Sequence, residues 1–365
     1  MNTEKITSRQ MILTIIIFRL SLVISYMPPI ELPPANQDVW IIVVISIFYV
    51  AITGAPILFL ANKFRDMTMM EYFEKILGKM LGKFIIFLYG LYFGFNAVYG
   101  IILQNRIVGI DLLPQTSYWV MIVPIIVLSI YVCSKRLEDI FRIGDLISPI
   151  VLTAIIILII LGLQNAEFTE LLPILSDSTF KEINTGSFKL AFVFVDIFIF
   201  IMSIPFLEEK DNINKIYGKI IIYSKFLIII IIIVTQAALG IEQTRHVNFP
   251  FLIYTRLIEY NYMLQRIDPL YVIVWLYASI GRIIIYIYFS YMIFQSIFNI
   301  KNEKIIIYTV CVLVGLASLY LSNTSVKFMS HSPFADARAL LSAIFVTIIP
   351  LFITIVYFFR RKSLN

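Results

Sequence analysis

Long apolar runs alternate with short polar segments along the whole chain. Ten of these runs are close to twenty residues long, the length that a helix needs to cross a bilayer. Because a bilayer offers backbone groups no water, the runs are predicted to be helices rather than open strands. The predicted spans lie near residues 10–28, 39–61, 84–104, 118–134, 144–163, 187–207, 218–240, 269–298, 304–322 and 338–359.

The segments between the runs leave no room for a soluble domain. The two longest, 164–186 and 241–268, hold about 25 residues each. We therefore predict an all-α membrane protein in which residues 1–365 form a single polytopic membrane domain. Composition agrees, since 60% of the residues are hydrophobic and 14% are charged, against roughly 45–50% apolar residues in soluble domains.

Basic residues indicate how the chain is oriented. Eighteen Lys and Arg residues fall in one set of alternate interhelical segments and six fall in the other. The positive-inside rule with an even number of spans predicts that both termini face the cytoplasm. Since these residues lie in short loops, the net charge of +6 indicates membrane orientation and no nucleic-acid partner.

Motifs for catalysis or metal binding are not found in the sequence. It has no Walker A loop, HExxH, CxxC pair or GxSxG elbow. Cys133 and Cys311 both lie in or beside apolar runs, where thiols pack as small apolar groups. We predict no enzyme activity, no catalytic residue, no metal and no cofactor.

Four polar residues lie near the middle of predicted spans: Arg19, Asn96, Asp196 and Arg282. A charge at the midplane costs at least about 2.5–3.5 kcal/mol, so such residues usually face the bundle interior. One interpretation is a structural ion pair, with either Arg19 or Arg282 on Asp196. The other is a ligand site, in which a carboxylate neutralises the excess positive charge and an ammonium contacts Asp196, as a zwitterionic amino acid would.

Prolines at the ends of the first and sixth spans suggest interrupted helices. Pro28 and Pro29 end the first span and Pro205 ends the sixth. Transporters built from inverted repeats bind substrate where such helices are broken. Ten spans fit two inverted five-helix repeats with broken first and sixth helices.

Other polar residues have simpler interpretations. Tyr92 and Tyr99 lie two turns apart on the third span and are either pocket walls or packing residues. Lys189, Lys225 and Arg338 are predicted to lie close enough to span ends for their charged groups to reach the interface.

Several segments in order resemble the B subunits of bacterial spore germinant receptors, membrane proteins related to the amino acid–polyamine–organocation permeases. The likeness covers nearly the whole chain. It comprises a first helix from Gln10 to Pro28, Leu172-Pro173-Ile174-Leu175, Pro205, Phe249-Pro250, and Gln265-Arg266-Ile267-Asp268 followed by Val274-Trp275.

The resemblance implies a germinant-sensing subunit of the spore inner membrane, which binds a small nutrient such as an amino acid. It also implies membrane lipid and two partner subunits, an A-type membrane protein and a C-type lipoprotein. Its pocket would include Arg19, Ser21, Tyr92, Asp196 and Tyr277, to which the charge argument adds Arg282. Family members often have glycines where this first helix has Leu20-Ser21-Leu22-Val23, and an apolar residue where it has Arg19.

Three functions remain open from the sequence. The first is a receptor subunit in which ligand binding shifts a conformational equilibrium. The second is a proton- or cation-coupled amino-acid symporter that uses Asp196 as an ion site. The third is a membrane subunit without a ligand, in which the midplane charges only fix helix pairing.

Overall fold

Helices make up nearly all of the secondary structure. The computed structural model describes residues 5–193, 196–259, 267–324 and 333–364. Within these ranges the backbone forms α-helices joined by short 3-10 and π-helical turns, and an isolated bridge pairs Ile6 with Leu207. The predicted all-α class is confirmed.

Fifteen α-helices are described, and several of them join end to end within one membrane span. They are α1 Ser8–Tyr26, α2 Val39–Lys63, α3 Met69–Leu77, α4 Lys79–Ile107, α5 Tyr118–Cys133, α6 Leu137–Gly162, α7 Phe180–Val193, α8 Ile197–Ser203, α9 Ile213–Leu239, α10 Ile241–His246, α11 Pro250–Arg256, α12 Asp268–Phe298, α13 Glu303–Thr324, α14 Pro333–Ala343 and α15 Ile349–Leu364.

Nine helical segments of the described chain are long and apolar enough to cross a membrane. The remaining predicted span is α5, which has 16 residues. At 1.5 Å per residue it extends about 24 Å, somewhat less than the roughly 30 Å of a typical hydrocarbon core. Local thinning of the bilayer and polar flanks accommodate a mismatch of this size.

The ends of neighbouring helices show that α5 does cross. Near the end of α4, Tyr99 donates a hydrogen bond of 3.4 Å to Tyr26 at the end of α1. At the start of α6, Glu138 accepts one from the Lys5 backbone just before α1 begins. Because α5 connects α4 to α6, it runs between opposite ends of the bundle. With α5 included, the described helices provide ten candidate crossings.

The first helix runs without a break, unlike the prediction. It extends from Ser8 to Tyr26 and ends at Met27, whose φ of +48° lies in the left-handed region. The hydroxyl groups of Ser21 and Ser25 donate to carbonyls three and four residues earlier in the same helix. With no glycine in this stretch and the serines satisfied locally, the backbone hydrogen bonds of α1 persist through its middle.

The sixth span comprises α7 and α8, and a break between them stays a prediction. The helix α7 is described as far as Val193, and α8 begins at Ile197. Asp196 lies between them, next to residues 194–195, which are outside the described part. The relation of the two halves as inverted repeats stays a prediction.

Small residues let the central helices approach closely. A Cβ atom added to Gly100 on α4 would lie 2.8 Å from a carbon of Ile283 on α12, and one added to Gly281 on α12 would meet the ring of Phe18 on α1. Backbones that approach this closely are typical of membrane helix interfaces. They bring α1, α4 and α12 together around the sixth span.

The loop after the fifth span is fixed to the start of α2. Asp38, which is fully buried, accepts hydrogen bonds from the Leu175 backbone at 3.0 Å and from the Ser178 hydroxyl at 2.5 Å. Gln37 donates to the Pro173 carbonyl at 3.1 Å. The segment Leu172-Pro173-Ile174-Leu175 is therefore held by a buried carboxylate at the end of the bundle where α1 ends.

Candidate functional site

A buried ion pair lies in the sixth span, directly before the start of α8. The Arg282 Nε donates a hydrogen bond of 2.8 Å to Asp196 Oδ1, and the Tyr286 hydroxyl donates to the same oxygen at 3.0 Å. The Asp196 side chain has no exposed surface, and that of Arg282 is 7% exposed. Arg282 and Tyr286 lie four residues apart, so one face of α12 holds the carboxylate. The partner of Asp196 in the structure is thus Arg282.

The second carboxylate oxygen of Asp196 is buried and accepts no hydrogen bond from the described residues. A buried acceptor normally has a partner, because an unsatisfied one costs about 1–3 kcal/mol. The oxygen therefore has capacity for a further hydrogen bond.

Arg19 supplies a second cation near the pair. It is 2% exposed, and its charge interacts with those of Asp196 and Arg282. It reaches this position because α1 packs against α9 and α12, with Phe18 beside Gly281. The three groups together carry two formal positive charges and one negative charge in the middle of the bundle.

A small cavity adjoins the ion pair on the α1 side. Its polar lining comes from α1, α4 and α12 and consists of Ser21, Ser25, Asn96, Ser279, Arg282 and Tyr286. Its volume is about 10 Å³, measured as the space open to the centre of a water molecule. That is room for one water. An amino acid fits only after the helices separate.

The end of α1 is held against α12 by aromatic residues. The Trp275 indole donates a hydrogen bond of 2.7 Å to the Ser25 hydroxyl. The Tyr271 hydroxyl donates to the Ile24 carbonyl, also at 2.7 Å. These bonds hold the two walls of the cavity together. Opening of the cavity must therefore either break them or move the bonded parts of α1 and α12 as one unit.

Comparison with known proteins agrees with this architecture. A sequence model of the spore germination protein family matches residues 5–327, which is most of the chain. The chain belongs to that family. It is therefore a germination-related, multi-pass membrane protein, and the family is not a known enzyme family.

Two curated relatives of this chain come from Bacillus subtilis (strain 168). Spore germination protein YndE is 24% identical, over 82% of this chain and 83% of the relative. Spore germination protein KB is 22% identical, over 99% of this chain and 97% of the relative. The match to spore germination protein KB covers the ion pair and the cavity, since it takes in nearly the whole chain.

Four of the six predicted site residues lie together at the centre of the helix bundle. Arg19, Asp196 and Arg282 form the charged group, and Ser21 lines the cavity. Tyr92 lies one turn from Asn96, but its hydroxyl bonds Ser342 at 3.1 Å and its ring stacks on Phe345, away from the cavity.

Tyr277 lies apart from the site. Its hydroxyl is 3.5 Å from the Ile143 carbonyl on α6, and the residue is partly exposed. Five residues of helix separate Tyr277 from Arg282, a rotation of about 140°, so the two side chains face different neighbours. Ser279 and Arg282, three residues apart, share the cavity face instead.

Three residues of the candidate site were missed from the sequence. Tyr286 is one of 21 tyrosines, and its place four residues after Arg282 was the available signal. Ser25 and Ser279 are small hydroxyl residues of the kind that most membrane helices contain. Their role follows only from the packing of α1 against α12.

Lys225 does not reach the interface as predicted. It is fully buried, and its ammonium donates a hydrogen bond of 2.7 Å to Ser46 on α2. The helix α9 begins at Ile213, five residues before the predicted span, which puts Lys225 at its middle. Its charge also interacts with that of Arg19. The interior of the bundle is therefore more cationic than the sequence suggested.

Proposed function

We propose that the protein is the nutrient-binding subunit of a spore germinant receptor. It binds a small solute, an amino acid, in the midplane cavity between α1, α4 and α12. The observation that carries the proposal is the buried Asp196, bonded through one oxygen to Arg282 and Tyr286, with its other oxygen accepting nothing from the described residues.

The charges of the site suit a zwitterion. The ammonium of an amino acid has Asp196 as its acceptor, and the carboxylate has two nearby cations, Arg19 and Arg282. Guanidinium groups bind carboxylates in a bidentate geometry, and such bonds are about twice as strong as neutral ones. The hydroxyl groups of Ser21, Ser25 and Ser279 add donors and acceptors along the wall.

The small size of the cavity supports a receptor mechanism. Because about 10 Å³ admits only a water, ligand binding must accompany separation of α1 from α12. The ligand would then favour the open conformation by its differential affinity for that state. Partner subunits would detect the change at the surface, and no solute needs to cross.

The receptor would lie in the spore inner membrane with both termini in the cytoplasm, as the distribution of Lys and Arg indicates. The end of the bundle where α1 ends would then face away from the cytoplasm. Its partners would be an A-type subunit and a C-type lipoprotein. This part of the proposal rests on family membership and on the resemblance described above.

The test is a germination dose-response in spores that carry this receptor as their only one. Asp196→Asn removes the charge but keeps an oxygen for Arg282 and Tyr286. We expect the effective concentration of an activating amino acid to rise at least tenfold, with the protein level unchanged. The matched control is Asp66→Asn, on an exposed residue that pairs with Lys210. An equal response from Asp196→Asn and Asp66→Asn would contradict the proposed site.

An amino-acid symporter is the second candidate, and Lys225 favours it. Ionisable groups buried in the membrane often mark ion or proton pathways, and Lys225 lies at mid-helix next to the charged centre. Uptake of labelled amino acid into proteoliposomes driven by a proton gradient would decide. Concentrative uptake that Lys225→Met abolishes would favour the symporter over the receptor.

A further inference from the structure

A second and larger cavity opens at the end of the bundle where α1 ends. It has a volume of about 440 Å³, within the range of ligand pockets. We call it the vestibule; its walls come from the ends of α1, α4 and α7, the start of the tenth span and the segment around α10. Leu103 lines both the vestibule and the midplane cavity, so the two spaces adjoin.

The vestibule lining is rich in cations. It contains four Arg and Lys residues and one carboxylate, that of Glu31. Arg245 has a carboxylate nearby, that of Glu242 at 3.9 Å. The other three cations form no ion pair within the described ranges. They are Arg106, Lys189 and Arg338.

Arg338 is held by contacts with two tyrosines. Its guanidinium lies 4.3 Å from the centre of the Tyr99 ring, and one of its nitrogens donates to the Tyr26 hydroxyl at 3.2 Å. Stacking on an aromatic ring fixes the plane of a guanidinium and leaves its edge able to donate further hydrogen bonds. This position also differs from the prediction that Arg338 extends to the interface.

We propose that the vestibule binds a small organic carboxylate, with Arg338 as its anchor. The carboxylate accepts hydrogen bonds from the guanidinium edge, while Arg106 and Lys189 supply longer-range attraction. Phe192, Phe249 and Tyr99 offer apolar surface for the body of the molecule. The site is separate from the Asp196 centre and does not require the midplane cavity to open.

The experiment is calorimetric titration of the purified full-length protein in phosphatidylcholine nanodiscs. Succinate is compared with succinamide, its uncharged isostere, at constant ionic strength. We expect succinate to bind at least tenfold more tightly than succinamide. Arg338→Gln and Arg106→Gln should each weaken succinate binding, Arg338→Gln by about tenfold or more. Equal binding of succinate and succinamide would overturn the proposal.

Matched variants separate this site from its alternatives. Arg142→Gln changes an exposed arginine at the other end of the bundle, where it pairs with Glu138, and should leave succinate binding unchanged. Asp196→Asn should change the affinity for succinate by less than twofold. If Asp196→Asn weakens succinate binding as much as Arg338→Gln does, the carboxylate binds at the midplane and the proposal is overturned. If Arg338→Gln does not fold, the test rests on Arg106→Gln alone. An Arg106→Gln protein that binds succinate as tightly as the wild type would then refute binding in the vestibule.

A lipid headgroup carries a phosphate that could use the same cations. Repeating the titration in phosphatidylglycerol nanodiscs distinguishes this source from a free carboxylate. Unchanged succinate affinity supports the proposal, whereas a tenfold loss would show that anionic lipid fills the vestibule and would overturn it.

Discussion

The pairing of Asp196 with Arg282 gives the sharpest energetic prediction. We consider Asp196→Leu, Arg282→Met and the double variant. Each single change leaves one buried charge without its partner, at a cost of about 3–5 kcal/mol. The double change removes both charges together. Replacing a buried ion pair with apolar side chains is often neutral or stabilising, so the double variant should be more stable than either single one.

The coupling energy of this double-mutant cycle follows from the geometry. With Nε and Oδ1 at 2.8 Å and both side chains buried, we expect a coupling of about 2 kcal/mol or more. Arg19 interacts with Asp196 through its charge, so a second cycle of Asp196→Leu with Arg19→Met should give a smaller value. Tyr286→Phe should cost about 1 kcal/mol, for one lost hydrogen bond.

The assay is equilibrium unfolding of the purified protein in mixed micelles, with SDS as the denaturant. Each free energy is compared with that of the wild type under the same conditions. A coupling between Asp196 and Arg282 below about 0.5 kcal/mol, the usual limit for independent sites, would refute the pairing. So would a larger coupling between Asp196 and Arg19.

The remaining predictions concern packing and buried polar groups, and the same unfolding assay measures them. Asp38→Ala leaves the Leu175 N–H without its acceptor and removes one of two acceptors of the Ser178 hydroxyl, and it should cost about 1–3 kcal/mol. Gly100→Val should cost about 1–3 kcal/mol from overpacking, whereas Gly218→Ala, with open space around it, should be neutral or stabilising. Ser46→Ala removes an acceptor of Lys225 and should destabilise more than Lys225→Met, which removes the charge itself.

The charged centre could be found from the sequence because a charge stands out inside an apolar run. Asp196 and Arg282 were singled out on that ground, and the structure brings them together. Which cation pairs with Asp196 could not be predicted, because it depends on how α1 and α12 are rotated relative to the sixth span. Hydropathy locates a residue along a helix but does not fix the side it faces.

Lys225 and Arg338 show where counting along the chain fails. Lys215 and Lys219 lower the hydropathy at the start of α9, so the predicted span began too late and Lys225 looked terminal. Arg338 does lie near the end of its span, but Tyr26 and Tyr99 from distant parts of the chain cover it. No local pattern encodes those contacts.

The break predicted in α1 was wrong for a related reason. Pro28 and Pro29 mark the end of that helix rather than an unwound middle, since a proline is well tolerated where a helix stops. In the sixth span Pro205 likewise follows the end of α8 at Ser203. The prolines therefore mark the ends of these helices and do not locate a break within them.

Ligand protection of a cysteine in the midplane cavity tests the central claim most directly. Ser279→Cys is introduced after Cys133 and Cys311, both buried, are replaced by alanine. The rate at which a small methanethiosulfonate modifies it in membranes is then measured with and without an amino acid that triggers germination. We predict that the amino acid changes this rate severalfold, and that Asp196→Asn removes the effect at the same concentration. An identical rate with and without the amino acid would contradict binding in this cavity.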